Sequence, residues 1–510
     1  MPGSNQLSRI QHIVTLMLEN RSFDHMLGFL YADRGNKSPA GHPFEGLTGK
    51  EANPDDNGNS VPVFKIKRSD QNAYFMPGAD PGEGYSATNS QVFDSVSAPT
   101  PPVATNQGFV KDYAYTLGWE TNEKWSILPG TVANDIMGIF TPEMLPVLSA
   151  LARGFAVCDY WYCSAPTETL PNRAFVNAGT SQGYMDDKTK SYTVPSIFGR
   201  LSQANLSWMI YGYDSEPLTR NNFPDTESAD DSHFGLFKDF QAAAAAGTLP
   251  AYTFLEPDWA STGNSQHPNY DVSLGEQLLH DVYYALYNSP AWKETLLIIT
   301  YDEHGGCYDH VPPPQGAVPP DDSVGEYGFD FKRFGVRVPT ILVSPLIPPG
   351  VVFRVPDGAM PFDHTSVLKT IEKRWSLPAL TARDAAAPDV GDSLTLEIPR
   401  TDDPLKGVRV PKSSGKDPLK GAATHLQQVH AELVSRLPVT DNQGRPVHHT
   451  LKSNTSAAHK AYIQKRITAW KAGRNGTAEN STPSASTKKR TPKKTKKTAK
   501  KTTRKSKKKS

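Results

Sequence analysis

Leu296-Leu297-Ile298-Ile299-Thr300-Tyr301-Asp302-Glu303-His304-Gly305-Gly306 is a short apolar run that stops at two adjacent carboxylates and two glycines. A run of this length without polar alternation suits a strand covered on both faces. The same form occurs at Ile13 to Leu18, which ends at Glu19-Asn20-Arg21-Ser22, and again at Pro339-Thr340-Ile341-Leu342-Val343-Ser344. Helical patterns at Met144 to Arg153 and Leu274 to Tyr287 lie between them. Strand and helix in alternation predict an α/β fold, a central mostly parallel sheet with helices on both faces. Ligands of such sheets gather at the carboxyl ends of the strands, which makes the polar residues after each run the first candidates for a site.

The rest of the chain is read around that sheet. A hydrophobic content of 37%, with 8 Trp, 20 Tyr and 21 Phe in 510 residues, can bury a sizeable core. Residues 34–110 and 212–232 are rich in Gly, Pro, Asn, Asp and Ser and read as long loop insertions. Three divisions follow: a catalytic domain over 1–400, a helical extension over 401–474 and a disordered lysine-rich tail over 475–510. In the extension, Leu426, Val429, Leu433 and Leu437 form one apolar stripe, and Ala458, Tyr462, Ile463, Ile467 and Trp470 form a second before Gly473.

The formal charge of +1 is a misleading average. Residues 481–510 hold 14 of the 54 Lys and Arg and no acid, leaving 40 basic against 53 acidic residues, a net of −13, for the body. Attraction to nucleic acid or an anionic membrane belongs mainly to the tail, and a polyanion-binding protein is the competing class of function. The N-terminus shows no basic-plus-apolar leader, and no stretch reaches the roughly 18 apolar residues that span a bilayer. No signal peptide or transmembrane segment is expected, and a cytoplasmic address is the default. Cys158, Cys163 and Cys307 are odd in number and lack CxxC spacing, with a Cys158–Cys163 bridge left open.

Four segments carry chemistry. Glu19-Asn20-Arg21-Ser22-Phe23-Asp24-His25 places oxygen donors after a buried strand, with helix capping as the ordinary alternative. Asp302-Glu303 sets two carboxylates side by side; in a buried turn they repel unless a cation or protons neutralise them. Such hard donors favour calcium, magnesium or manganese, and zinc accepts them too. Ala165-Pro166-Thr167-Glu168-Thr169-Leu170-Pro171-Asn172-Arg173 leads into a helix whose N-terminus offers N–H groups to a phosphate, with Thr169 either at that anion site or as a plain N-cap. His267 and His310 lie in loops, where a histidine serves as proton donor or ligand, whereas His364 starts a helix that it also anchors.

Together these segments resemble the phosphoesterases that include bacterial phosphatidylcholine-type phospholipase C and an acid phosphatase of the same fold. The resemblance rests on ENRSFDH at 19–25, MLPVLSALARGFAVCDYWYCSAPTETLPNR at 144–173, HPNYDVSLGE at 267–276, TYDEHGGCYDHVPPP at 300–314 and FDHTSVLKTIEKRW at 362–375. It implies an alkaline phosphatase-like fold, with Glu19, Asn20, Thr169, Asp302 and Glu303 as ligands of a divalent metal. Thr169 would be the nucleophile, forming a phosphothreonine, and His267 an active-site histidine facing the phosphate. Asp24, Asn172, Arg173, His304, His310 and His364 are candidates for supporting or substrate-binding roles. The substrate expected is a phospholipid, or alternatively a phosphate monoester. Thr169-Leu170-Pro171-Asn172-Arg173 also has the spacing of the sulfatase site, but threonine cannot supply formylglycine, which disfavours sulfate esters. A choline headgroup would call for an aromatic cage, for which Trp161, Tyr162, Trp259 and Tyr301 are near enough in sequence.

Overall fold

The computed structural model describes residues 5–123, 126–190, 192–441, 443 and 445–479. Eight strands form the central sheet: β1 (His12–Leu18), β2 (Ala156–Cys158), β3 (Trp208–Gly212), β4 (Phe234–Leu236), β5 (Tyr252–Leu255), β6 (Thr295–Tyr301), β7 (Thr340–Val343) and β8 (Val351–Val352). Their order across the sheet is β8-β2-β7-β6-β1-β5-β3-β4. Every residue of β5, β6 and β7 and all but the first of β1 are buried. Side chains alternate between faces along a strand, so full burial means that both faces are covered.

β1 runs parallel to β5 and β6, and β3 continues the parallel pairing to β4. β7 departs from this, pairing antiparallel with β6 and with β2. The apolar run at 339–344 reports burial, not direction. After β6 the chain stays over the carboxyl edge, with only the short turn Glu326–Gly328 as helix-like structure, and re-enters the sheet from that same edge. Without a crossover helix the returning strand is antiparallel.

The helices that position the site are α1 (Phe23–Leu27), α2 (Pro146–Gly154), α3 (Thr169–Ala178), α4 (Val272–Tyr287) and α5 (Thr365–Trp375). α4 starts where Asp271 caps the Ser273 N–H, and its buried Glu276 carboxylate accepts the Val147 and Leu148 N–H groups at the start of α2. The stretch 34–110 is more ordered than its composition predicts. It holds the helix Tyr85–Phe93 and a strand pair, Ala52–Pro54 with Ser60–Pro62. Tertiary bonds stabilise this polar helix: Gln91 alone bonds Gly82, Asp112 and His304. Within 212–232 the helix Pro224–Ser228 and a tight turn at Leu218–Asn221 likewise replace a plain loop. All three cysteines are free and buried, which closes the question of a Cys158–Cys163 bridge.

The extension folds as α6 (His425–Ser435) and α7 (Ser456–Glu479). Its first apolar stripe divides between two partners. Leu426, Val429 and Leu433 pack on Leu170, Leu218 and Trp259 of the body, while Leu437, with Ala431 and Val434, packs on Ile463, Ile467 and Trp470 of α7. α7 continues past Gly473 to Glu479, beyond the end that the sequence predicts. Arg474 stabilises that turn by stacking on Trp470 and donating to the Glu227, Ser228 and Ala229 carbonyls. The lysine-rich stretch 480–510 lies outside the described residues. No helix among the described residues is long and apolar enough to cross a membrane. Leu426 joins the extension to Leu170, the neighbour of Thr169, so Leu426→Ala is expected to cost about 2–4 kcal/mol, read as a lower urea midpoint at unchanged slope.

Candidate active site at the carboxyl edge of the sheet

The register of β1 on β6 runs from His12↔Thr295 to Leu18↔Tyr301, so Glu19-Asn20 and Asp302-Glu303 leave the sheet side by side. Asn20 takes a left-handed backbone (φ 55°), and its N–H donates to Asp302 Oδ1 at 2.8 Å. Gly305 is required where it stands: at φ 59° a Cβ there would meet the Asn20 carbonyl oxygen at 2.1 Å. The turn after β6 therefore folds directly onto the turn after β1.

α3 completes this floor. Thr169 is its first helical residue, only 2% exposed, and its Oγ1 donates to Asn20 Oδ1 at 3.2 Å. The N-cap is Glu168 rather than Thr169. One N–H of the helix start is already taken, because Asp187 Oδ1 accepts from Leu170 at 2.6 Å. One turn on, Arg173 forms a buried ion pair with Asp302 Oδ2 at 3.0 Å and donates to the Met17 and Leu18 carbonyls. Its Nη1 has no partner. Asn172 is taken up entirely by the loop before α3, bonding Ala165, Thr167 and Glu168, so it holds that loop and does not face a substrate.

A cavity of 770 Å³ opens above Thr169 and Glu19. Asp80, Glu83, Glu120, Asp187, Trp259, His267 and Tyr270 line it from the body, and Lys420, Thr424, His425 and Leu426 from the extension. Asn20, Asp302 and Glu303 are fully buried and connect to the lining through the Asn20 bonds to Thr169 and Glu83. His267 Nδ1 lies 2.9 Å from the Pro268 carbonyl, to which it donates, leaving Nε2 as the free nitrogen, 4.0 Å from Glu83.

Electrostatics mark this floor as short of positive charge. Burial pushes Glu19 up to about 7, against the pull of His267 and helped by Asp302. Burial and neighbouring carboxylates hold Glu83 and Glu303 well above the usual range and Asp187 up to about 7. Burial lowers the His267 pKa, but Asp80 and Glu19 outweigh it and the net shift is upward. Glu303 Oε1 is buried with no partner. A crowd of hard oxygens with an orphaned carboxylate atom fits a divalent cation, and Glu19, Asn20, Thr169, Asp302 and Glu303 are the donors that could hold it.

The other predicted residues stand apart from the cavity. His304 bonds Gln91 and lies beside Glu303, and burial pulls it down to about 3, so it is neutral. His364 donates to the Asp302 carbonyl at 2.5 Å and thereby positions that residue from the start of α5. Asp24 and His310 belong to a separate network with Asp309, in which Arg337 bridges Asp24 and Asp309 at 2.9 and 3.0 Å. That guanidinium already supplies the positive charge a metal would bring. Of the four candidate cage aromatics, only Trp259 lines the cavity, and the Arg173 guanidinium sits 4.7 Å from the centre of its ring. Trp161 stacks on Phe362, Tyr162 packs on Phe334, and Tyr301 bonds Gln266 in the core. Sequence reasoning missed Asp80, Glu83, Glu120 and Asp187, which sit in or beside segments without apolar periodicity.

Clustered hard-oxygen donors around a buried hydroxyl at the end of an α/β sheet are equipment for hydrolytic phosphoryl chemistry. The chain belongs to the phosphoesterase family, whose model matches residues 10–378, and it is a phosphoric ester hydrolase. It is 36% identical over 452 residues to non-specific phospholipase C6 of Arabidopsis thaliana, covering 85% of this chain and 81% of the relative. To non-specific phospholipase C1 of the same plant it is 38% identical over 396 residues, covering 74% and 69%. To phospholipase C A of Mycobacterium tuberculosis it is 29% identical over 448 residues, covering 78% and 79%. Kinship thus extends to plants, beyond the bacterial enzymes whose motifs the sequence resembles. Among solved structures, a protein of the alkaline phosphatase superfamily from Vibrio parahaemolyticus aligns at 12% identity with a TM-score of 0.29, over 48% of this chain and 63% of that one. A likeness that slight adds nothing to the sheet order above.

The Asp24 network yields a pH test. Burial lowers the His310 pKa but Asp24 outweighs it, and the net is about 9 against an ordinary 6.5. A raised folded pKa stabilises fully below the unfolded value, and that contribution is lost as pH rises through the folded value. The Tm advantage of the wild type over His310→Gln is therefore expected to be largest below about pH 6.5 and to shrink as pH passes about 9.

Proposed function

We propose that the chain is a phospholipase C-type phosphodiesterase that depends on a divalent metal and works through Thr169. The observation that carries this reading is the Thr169 hydroxyl, which lies at the cavity floor, bonded to Asn20 and adjoining the acidic cluster. Glu19, Asn20, Thr169, Asp302 and Glu303 would hold the metal. When bound, it makes the hydroxyl more acidic and offsets charge on the phosphoryl oxygens.

Thr169 Oγ attacks phosphorus and gives up its proton to water, while the bond from phosphorus to the glycerol oxygen breaks. His267, held by the Pro268 carbonyl so that Nε2 faces the cavity side of Glu83, protonates the departing alcohol. Its pKa is shifted upward, which enlarges the protonated share and suits a donor. Neutral His267 then takes a proton from water, which attacks the phosphothreonine; the bond from phosphorus to Thr169 Oγ breaks, Thr169 regains a proton from water, and the phosphorylated headgroup leaves. Arg173, fixed by Asp302 and two strand carbonyls, keeps α3 and the sheet edge at one spacing throughout.

Kinship to proteins named phospholipase C favours a phosphodiester over a monoester, as does a cavity of 770 Å³. Thr169→Ala is expected to lower kcat toward phosphatidylcholine vesicles and p-nitrophenylphosphorylcholine at least about 10³-fold with Tm retained. Full activity in that variant refutes the nucleophile. Dialysis against a chelator is expected to abolish turnover and a divalent salt to restore it; turnover that survives with no metal detected in the protein refutes the metal. Higher kcat/KM for p-nitrophenyl phosphate than for the choline diester would make the chain a phosphomonoesterase.

A further inference from the structure

The proposed chemistry uses the floor of the cavity and leaves part of its wall unexplained. Glu120, on the helix Phe109–Glu123, lines the cavity at 3% exposure. It accepts the Asp80 backbone N–H, yet its Oε2 has no partner, and neither does Asp80 Oδ1. Asp80 has His267 Nδ1 at 3.8 Å and also feels His425 and Arg21, whereas Glu120 is acted on by burial and by Asp80 itself. Buried acceptors of this kind are costly unless a donor, and preferably a positive one, reaches them. Burial first and Asp80 second push Glu120 up to about 8, which is the response of a carboxylate lacking a counter-charge.

We propose that Glu120 and Asp80 form a subsite for the primary ammonium of a substrate headgroup, of the ethanolamine class, and so determine headgroup preference. The inference rests on the phosphodiesterase reading above and names the substrate class. A quaternary ammonium offers no N–H and is read by aromatic faces, and the aromatics nearest this wall are already engaged. Trp259 carries Arg173, and Tyr270 stacks on His267 at 4.8 Å. The unpartnered Glu120 Oε2, with the Asp80 carboxylate beside it only partly offset by His267, instead asks for N–H donors. A second metal on Asp80, Glu83 and His267 is the rival occupant. It is disfavoured because Asp80 lies beside Nδ1, at 3.8 Å, and that nitrogen's proton is committed to Pro268. That occupant would also leave the buried Glu120 Oε2 without a donor, since Glu120 stands outside the three-residue group.

The test is calorimetric binding to the full chain of O-phosphoethanolamine and of glycerol 3-phosphate, which carries the same phosphate without the ammonium. Wild type is expected to bind the first at least about tenfold more tightly. In Glu120→Gln, which keeps an acceptor for the Asp80 N–H, that preference is expected to vanish while glycerol 3-phosphate affinity and Tm stay unchanged. Asp80→Asn is expected to erode it likewise. Equal affinities in wild type, or a preference that survives both substitutions, overturn the subsite. Equilibrium binding does not need Thr169 chemistry, so failure here is distinct from a Thr169→Ala that stays active.

Discussion

Seven residues of β1 pair in parallel with seven of β6, and the last pair, Leu18 with Tyr301, determines what meets at the sheet edge. A parallel ladder delivers both chain ends on one side, so Glu19-Asn20 and Asp302-Glu303 emerge together. A slip of one residue would turn Asp302 to the other face and separate it from Arg173. The rest of the site is built on this pairing: the Asn20 turn docks on Asp302, Gly305 lets the two turns touch, and α3 is tied down through Arg173.

The pairing brings like charges together, and the fold compensates only in part. Arg173 balances Asp302, and His267 offsets Glu19 and Asp80, while Glu83, Glu303 and Asp187 remain buried with their pKa values raised. Elsewhere a buried cation bridges a similar cluster, as Arg337 does between Asp24 and Asp309. The contrast between a bridged acidic network and an uncompensated one separates scaffold from candidate site. Residues of both kinds occur in the same short motif, since Glu19 and Asp24 are five positions apart and serve opposite ends of that distinction.

The extension contributes to the site as well as to stability. α6 is held against Leu170 and Trp259 on one side and α7 on the other, and Arg466 of α7 bonds the carbonyls at the end of α6. This wedge places His425 and Leu426 in the cavity wall opposite the acidic floor. Without it the cavity would lose the wall that Lys420, Thr424, His425 and Leu426 provide.

Apolar runs at 13–18 and 296–300 announced the two central strands, and the polar residues that follow them announced the carboxyl edge, because burial on both faces and a ligand-binding edge each leave a local imprint in sequence. Thr169 and His267 stood out through motifs that are contiguous in the chain. The direction of β7, the division of one apolar stripe between two partners, and the commitment of Asn172, His310 and His364 to structural bonds left no such imprint. Asp80, Glu83, Glu120 and Asp187 also gave no local sign, since a carboxylate in a polar stretch reads the same whether solvated or buried. Sequence by itself determined the two central strands and β7, the edge at which the central pair ends and the residue types gathered there, for those are short-range properties of periodicity and residue type. Only the tertiary structure decided which charged groups are neutralised and which remain unpaired in the cavity, because that depends on partners hundreds of residues away and on the loss of water that packing imposes.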